Sequence, residues 1–165
     1  MIPTQESERL TLRAWRKEDF AAFCADESRT RYIGGVRGEH QAWTSFASMS
    51  GEWSLIGYGT FAVERKQDGR VIGYCGLWHP AYLDEPELTW GLYSGFEGHG
   101  YAVEAARTVQ RWSARSLGLP PLMSFVHPEN LPSQAVAKRL GASPMPPTVL
   151  RGEPRLQFRH VMPVH

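Results

Sequence analysis

Three glycines stand directly before a stretch with helical spacing: Gly95, Gly98 and Gly100 precede an alanine-rich run that starts at Tyr101. The first N–H groups of a helix have no partner within it, and the helix dipole favours an anion at that end. Glycine at positions 98 and 100 removes side chains that would block a close approach, and His99 adds another main-chain N–H group. The segment therefore predicts a cradle of N–H groups around His99 for a phosphate or diphosphate.

Three interpretations of this glycine turn compete with an anion site, and the motif alone removes only some of them. Dinucleotide binding requires a third glycine and a position after the first strand, and neither requirement is met. A P-loop is excluded because no Gly-Lys-Ser/Thr follows the glycines. A turn that merely lets the chain bend, without a ligand, is as compatible with a G-x-G pattern as an anion site is.

Hydropathy patterns place strands and helices before the glycine turn. Asp68 and Gly69 lie between two apolar, β-rich runs and predict a hairpin in which both turn residues have positive φ. An alternating run at 86–93 is expected to join the same sheet. The other elements predicted in this half are a strand at 8–15, helices at 17–26 and 38–50, and the hairpin strands at 60–66 and 71–78.

The glycine turn itself opens a helix, because apolar residues recur at helical spacing after it. This apolar face consists of Ala102, Ala105, Ala106, Val109 and Trp112. The short apolar run at 121–126 predicts a strand parallel to the one before the turn. A second helix follows, with Pro132 in its first turn and Gly141 as its cap. A hairpin around Gly152 closes the chain, and the proline-rich stretch at 142–149 is expected to be a loop.

Composition narrows the class of protein. The chain has 165 residues, 42% of them hydrophobic, and a formal net charge of +1. These values predict one soluble globular domain over residues 1–165 without the basic footprint of a nucleic-acid-binding protein. No apolar run is long enough to span a bilayer. Cys24 and Cys75 are too few for a disulfide scaffold or a zinc site, so we expect a cytoplasmic protein without a bound metal.

The context of the glycine turn resembles a known family. The stretches GHGYAVEAARTVQRWSARSLGL and PLMSFVHPENLPSQAVAKRLGA are similar to the GCN5-related N-acetyltransferases, in particular to the branch that acetylates ribosomal-protein N-termini. SERLTLRAWRKEDFAAF, DGRVIGYCGLW and ELTWGL are similar to that branch too, so the resemblance covers nearly the whole chain. It implies an α/β (α+β) fold, with a mostly antiparallel, centrally splayed sheet flanked by helices. It also implies an acetyl-CoA-dependent N-acetyltransferase that transfers the acetyl group directly in a ternary complex.

The resemblance assigns acetyl-CoA contacts to the glycine turn and to the strand before it. The family's pyrophosphate loop, Gln/Arg-x-x-Gly-x-Gly/Ala, maps onto Glu97, Gly98, His99, Gly100, Tyr101 and Ala102. Glu97 replaces the usual Gln or Arg, and we expect it to point away because a carboxylate repels a diphosphate. The backbone that would pair with the pantetheine arm belongs to Trp90, Gly91 and Leu92 on one strand and to Phe125 and Val126 across the gap.

Two residues at the start of the second helix have both a structural and a functional interpretation. Asn130 matches the asparagine that helps to hold the pantetheine, and it also suits a helix cap. The tyrosine with which many family members protonate the leaving thiolate corresponds to Ala137, which has no hydroxyl. The ribosomal-protein branch offers a serine early in this helix, and Ser133 matches it. A hydrogen bond to the sulfur or a proton relay is its implied role, with helix capping as the alternative.

Attack on a thioester requires a neutral amine, and an α-amino group with a pKa of about 8 needs less help than an alkyl amine at about 10. Glu87, on the strand before the glycine turn, is the predicted base for the amine proton, directly or through a water. An exposed or salt-bridged carboxylate is the alternative. Glu85, in a loop, and His79, at the end of the preceding strand, are weaker candidates.

Acceptor choice is assigned to residues 34–58 and 143–154, the least informative parts of the sequence. The branch implies a protein or peptide N-terminus as acceptor, with a small amine or an antibiotic as alternatives. Neither nucleic acid nor membrane is an expected partner, and monomer and homodimer both stay open. Two rival functions remain: a non-catalytic module that binds and senses acyl-CoA, and a nucleotide-binding protein.

Overall fold

The computed structural model describes residues 1–26 and 38–163, and its centre is an eight-stranded sheet. The strands are β1 (Gln5–Glu6), β2 (Leu10–Arg13), β3 (Thr60–Arg65), β4 (Arg70–Trp78), β5 (Glu87–Leu92), β6 (Met123–Val126), β7 (Ser143–Leu150) and β8 (Glu153–Arg159). Their order across the sheet is β1-β2-β3-β4-β5-β6-β8-β7. Each neighbouring pair is antiparallel except β5 and β6, which are parallel. This arrangement confirms the predicted fold class.

The helices of the described ranges pack on this sheet. They are α1 (Phe20–Ala25), α2 (Glu39–Ile56), α3 (Tyr101–Trp112) and α4 (Leu131–Arg139). Helix α3 connects β5 to β6 and continues as a π-helical turn, Ser113–Leu117, that ends at Gly118. The predicted apolar face of α3 is buried at all of its positions. Within the described ranges, no helix combines the length and the apolarity that crossing a membrane requires.

An aromatic cluster fixes α2 and α3 behind the sheet. The Trp53 ring centroid lies 4.9 Å from that of Phe61 and 5.6 Å from that of Trp112, and Trp53 Nε1 donates to Thr60 O at 2.8 Å. Cys75 is fully buried in the same core, and burial raises the pKa of its thiol. Cys75 is therefore a packing residue, as the sequence predicts, and the cluster gives β4 and β5 a rigid support.

The prediction of a loop at 142–149 is wrong, because most of these residues belong to β7. This strand pairs with β8 alone and lies at the edge of the sheet. An edge strand tolerates prolines because one of its sides needs no hydrogen bonds. The register shifts between Met145 and Thr148, and Gln157 Nε2 donates to Pro146 O at 2.8 Å across the irregularity.

The hairpin of β3 and β4 confirms the prediction, but its turn differs from the predicted one. Gly69 has a φ of 67°, whereas Asp68 does not have positive φ. The turn is longer than two residues, and Gly69 N–H donates to Arg65 O at 2.8 Å. Asp68 accepts a hydrogen bond from Arg65 Nε at 3.1 Å. Smaller corrections concern β1, which the patterns did not predict, and α2, which passes through Gly51 and ends at Ile56.

Candidate active site

The two central strands part soon after they begin. Although β5 and β6 are parallel neighbours, the register pairs only Glu87 with Met123. Beyond that position a side chain takes the place of the ladder, because Phe125 N–H donates to Glu87 Oε1 at 3.1 Å. From Trp90 onward, β5 is paired with β4 on one side and is unpaired on the side that faces β6. The sheet is therefore splayed at its centre, as expected.

A buried pair of side chains braces the point where β5 and β6 part. Ser124 Oγ donates to Leu88 O at 2.5 Å, and it lies 2.7 Å from His160 Nε2. Since the hydroxyl proton goes to Leu88 O, the hydrogen between Ser124 and His160 belongs to Nε2. Burial lowers the pKa of His160 to about 4. The ring therefore stays neutral near pH 7 and holds Ser124 against β5.

A cleft of about 1090 Å³ occupies the gap between the strands. It is lined by the glycine turn, by both central strands and by the start of α4. It also reaches residues of α2, of the loop between β4 and β5, and of the β7–β8 hairpin. The cleft thus connects the predicted cofactor residues with both segments assigned to the acceptor. The first of these segments begins outside the described residues, at 34–37.

The glycine turn presents unpaired main-chain donors to this cleft. Gly95, Gly98 and Gly100 have φ of 93°, 80° and 79°, in the left-handed region that favours glycine. The first N–H group of α3 that makes a helical hydrogen bond is that of Glu104, which donates to Gly100 O at 3.1 Å. The N–H groups of residues 98–102 have no acceptor among the described residues. They therefore form a donor set at the positive end of α3.

Arg9 holds the glycine turn from behind. Its Nη1 donates to His99 O at 2.9 Å, its Nε donates to Glu104 Oε2 at 2.7 Å, and its guanidinium lies 4.4 Å from the Tyr101 ring centroid. Ser7 Oγ also donates to Glu104, at 2.7 Å. Sequence reasoning missed Arg9 because its partners lie 90 and 95 positions away and no local pattern indicates them.

Glu87 lies at the last paired position, partly buried, and lines the cleft. Burial raises its pKa to about 8, against the opposing effects of the Phe125 hydrogen bond and the charge of Arg155. The carboxyl is therefore mostly protonated at pH 7. No ion pair with a described residue holds it, so the salt-bridge alternative is not realised.

The contacts at the start of α4 distinguish helix capping from a functional role for its polar residues. Asn130 is the N-cap, and its Oδ1 accepts the N–H of Ser133 at 3.2 Å. The Ser133 hydroxyl makes no hydrogen bond to a described residue and lines the cleft. Capping is thus performed by Asn130, which lines the cleft as well. Ala137 is fully buried against a small cluster that includes Val126 and Phe158, and it does not line the cleft.

The remaining predicted cofactor residues line the cleft, with different exposures, apart from His99, which is exposed and outside the lining. Glu97 is exposed, and Trp90, Gly91, Leu92, Phe125 and Val126 are all part of the lining. A Cβ on Gly91 would lie 2.6 Å from the Tyr74 ring, so glycine is required there by packing. Trp90 Nε1 is buried and makes no hydrogen bond to a described residue.

The two weaker base candidates are held elsewhere. Glu85 accepts from Arg159 Nη1 at 2.6 Å. His79 Nδ1 lies 2.6 Å from Tyr58 Oη, and its Nε2 lies 3.1 Å from Leu83 O. Because a carbonyl oxygen only accepts, Nε2 carries the hydrogen and Nδ1 accepts from Tyr58. Neither Glu85 nor His79 lines the cleft.

Comparison with known proteins gives a consistent result. A family model for the acetyltransferase (GNAT) domain matches residues 9–143. The acetyltransferase of Agrobacterium tumefaciens str. C58 has 36% sequence identity and a TM-score of 0.89, covering 98% of this chain and 95% of its own. An uncharacterized N-acetyltransferase of Bacillus subtilis (strain 168), YnaD, is 24% identical over 139 residues, or 82% of this chain and 79% of that protein.

A more distant structure shares the fold. RimL, a ribosomal L7/L12 α-N-protein acetyltransferase in complex with coenzyme A, has a TM-score of 0.74 at 13% identity. The alignment covers 97% of this chain and 98% of that one. At this identity the likeness concerns the fold alone.

Proposed function

This chain belongs to the acetyltransferase (GNAT) domain family, and on that premise we propose that it transfers the acetyl group of acetyl-CoA to a primary amine in a ternary complex. One observation carries the proposal: a single cleft joins the unpaired amides of the glycine turn to Glu87 and Ser133. A turn that merely bends the chain would not need free N–H groups beside a cleft between two parted strands.

The residues present suit an acyl-CoA. The free N–H groups at 98–102 and the positive end of α3 would hold the diphosphate, and Glu97 is exposed enough to turn away from it. The open edge of β5, at Trp90 to Leu92, would pair with the amide groups of the pantetheine arm. When bound, acetyl-CoA supplies an activated acyl thioester. Asn130 would contribute from the start of α4.

Glu87 is the proposed base. Its pKa of about 8 is close to that of an α-amino group, about 8, so the proton passes from the ammonium to the carboxylate with little cost in free energy. The amine nitrogen then bonds to the acyl carbon while the carbon–sulfur bond breaks, and the proton that the nitrogen loses on becoming an amide passes to the departing thiolate. Ser133 would donate a hydrogen bond to the departing sulfur, because its hydroxyl lines the cleft and makes no hydrogen bond to a described residue.

The same match of pKa values favours an α-amine over a lysine side chain, whose pKa is about 10. We therefore propose an amino-terminal or small α-amine as acceptor. The ribosomal acceptor in the name of RimL belongs to that protein, and for this chain a ribosomal protein is one acceptor to be tested.

The test compares ligands and then acceptors. Acetyl-CoA and CoA at about 100 times Kd should raise the melting temperature by roughly 5–10 °C, whereas NAD should not. A panel of peptides and small amines should then release free CoA thiol from acetyl-CoA. A larger shift with NAD would indicate a nucleotide-binding protein. A shift with acetyl-CoA but no thiol release with any amine would indicate a non-catalytic module.

Replacing Arg9 with glutamine should raise the KM for acetyl-CoA about tenfold and leave kcat within about twofold, because lost hydrogen bonds of this kind cost about 1–2 kcal/mol. The reason is indirect: Arg9 holds His99 O and Glu104, and so positions the N–H donors. The matched control is Arg115→Gln. Arg115 lies in the helical segment that follows the glycine turn, about 20 Å from the turn. Equal KM values in the two variants would show that Arg9 does not position the turn.

A further inference from the structure

The acceptor side of the cleft contains a cation that has no ion pair with a described residue. Arg155 is partly buried and lines the cleft, yet its only hydrogen bond to a described residue goes from Nη1 to the carbonyl of its neighbour Pro154, at 2.8 Å. Other partly buried arginines differ in this respect: Arg159 pairs with Glu85 at 2.6 Å, whereas Arg111 has no ion pair with a described residue. What distinguishes Arg155 is its place in the lining of the cleft, where its guanidinium is available to bind an anion that enters.

The position of Arg155 places that anion close to the reacting amine. Arg155 lies on β8, one residue before Leu156, which forms the last pair with β6 at Val126. It is near enough to Glu87 for its charge to lower the pKa of that carboxyl. An anion held by Arg155 would therefore belong to the same molecule as the amine that Glu87 deprotonates.

A second arginine stands at the rim. Arg151, in the β7–β8 turn, has a φ of 51° and is the only non-glycine residue with positive φ in the described ranges. Its guanidinium lies 5.6 Å from the ring centroid of Tyr82, so the turn meets the β4–β5 loop at the rim of the cleft. The acidic residues on this side of the lining are Glu87, mostly protonated at pH 7, and the exposed Glu153. The positive charges thus prevail there.

We propose that the acceptor amine carries a carboxylate or a similar anionic group within a few bonds of its nitrogen, that Arg155 binds this anion, and that Arg151 supports it at the rim. The inference rests on the proposed function and narrows its substrate class. Two sources offer this chemistry: free amino-acid-like amines, and peptides whose first residue is acidic. A bidentate pair with guanidinium suits a carboxylate in either source.

The test uses acceptors that differ only in the anion. One arm compares glycine with glycinamide, and the other compares peptides that begin with aspartate or with asparagine. In the wild type, kcat/KM should be at least about tenfold higher for the anionic member of one arm or both, as expected for one charged hydrogen-bonded pair. The arm that shows the preference identifies the source.

The preference should fall to within about threefold in Arg155→Gln and keep an intermediate value in Arg155→Lys, which retains the charge without the fork. Removing Arg155 also raises the pKa of Glu87, but that effect is common to both members and cancels in their ratio. Arg115→Gln, which removes a charge outside the cleft, should leave the ratio unchanged. Equal ratios in the wild type and Arg155→Gln, with acetyl transfer still measurable, would overturn this inference alone. Absence of transfer to every amine would instead overturn the proposed function.

Discussion

Replacing Glu87 with glutamine is expected to lower kcat/KM at pH 8 by about a hundredfold or more, the usual contribution of a positioned base. Glutamine has the same shape and keeps an oxygen for the N–H of Phe125, which Glu87 Oε1 accepts at 3.1 Å. The parting of β5 and β6 should therefore survive the change. What glutamine cannot do is take a proton from the amine.

The pH profile tests the assignment further. Because the pKa of Glu87 is raised to about 8, the ionised base is scarce at pH 6, and wild-type kcat/KM should rise about tenfold per pH unit before levelling above pH 8. The measurement should use an acceptor amine whose own pKa lies below 6, so that its titration does not overlap. The variant should give a flat profile. A variant that kept the wild-type slope would show that another group is the base.

The same pKa has a consequence for stability that needs no activity. The folded state holds a proton on Glu87 between the ordinary pKa of 4.5 and about 8, where the unfolded chain has released it. The stability that this proton contributes is complete below pH 4.5 and is lost as pH rises through 8. The melting temperature of Glu87→Gln relative to the wild type should therefore increase between pH 5 and pH 9. A constant difference would contradict the raised pKa.

Replacing Gly100 with alanine is expected to weaken acetyl-CoA binding about tenfold or more. Gly100 is the N-cap of α3 with a φ of 79°, where a side chain costs about 1–2 kcal/mol. The added Cβ would lie 3.5 Å from Arg9 Nη2, an ordinary contact, so the conformation and not a collision causes the strain. Relieving it requires the backbone to rotate, and the N–H groups of Gly100 and Tyr101 would turn away from the cleft.

Gly118→Ala provides the matched control. Gly118 ends the same helical segment with a φ of 63° and nothing within 4 Å of an added Cβ. Both variants should lose a similar amount of thermal stability, but only Gly100→Ala should lose affinity, measured by calorimetry with CoA. If the two variants bound CoA equally well, the amides of the glycine turn would not hold the diphosphate.

The sequence predicted those parts of the fold that depend on local periodicity. The buried face of α3 and the cap at Asn130 follow from residues close together in the chain, and the parallel pair β5 and β6 follows from the order strand, helix, strand. The glycine turn was predicted for the same reason, since three glycines with positive φ stand next to the helix that they begin. The prolines of β7 misled the prediction because only the position of that strand at the sheet edge makes them acceptable.

The parts of the site that could not be predicted depend on contacts across long stretches of chain. Arg9 reaches the glycine turn, and Ser124 lies against His160, 36 positions later, only because the sheet brings their strands together. The pKa of Glu87 depends on its burial at the point where two strands part, which no sequence pattern expresses. The roles of Glu87, Ser133 and the turn in catalysis and binding stay predictions.

Because β5 and β6 pair at a single position, the sheet consists of two halves that are joined there and separated beyond it. Open sheets usually exchange amide hydrogens first at their outermost strands and last at their middle ones. Here we expect the amides of β5 that face β6 to exchange early as well, because they lie in the middle of the sheet and are not paired with β6 beyond Glu87. A ligand that supplied the missing hydrogen bonds would become part of the sheet itself. It would make the sheet more rigid well beyond the atoms that it contacts.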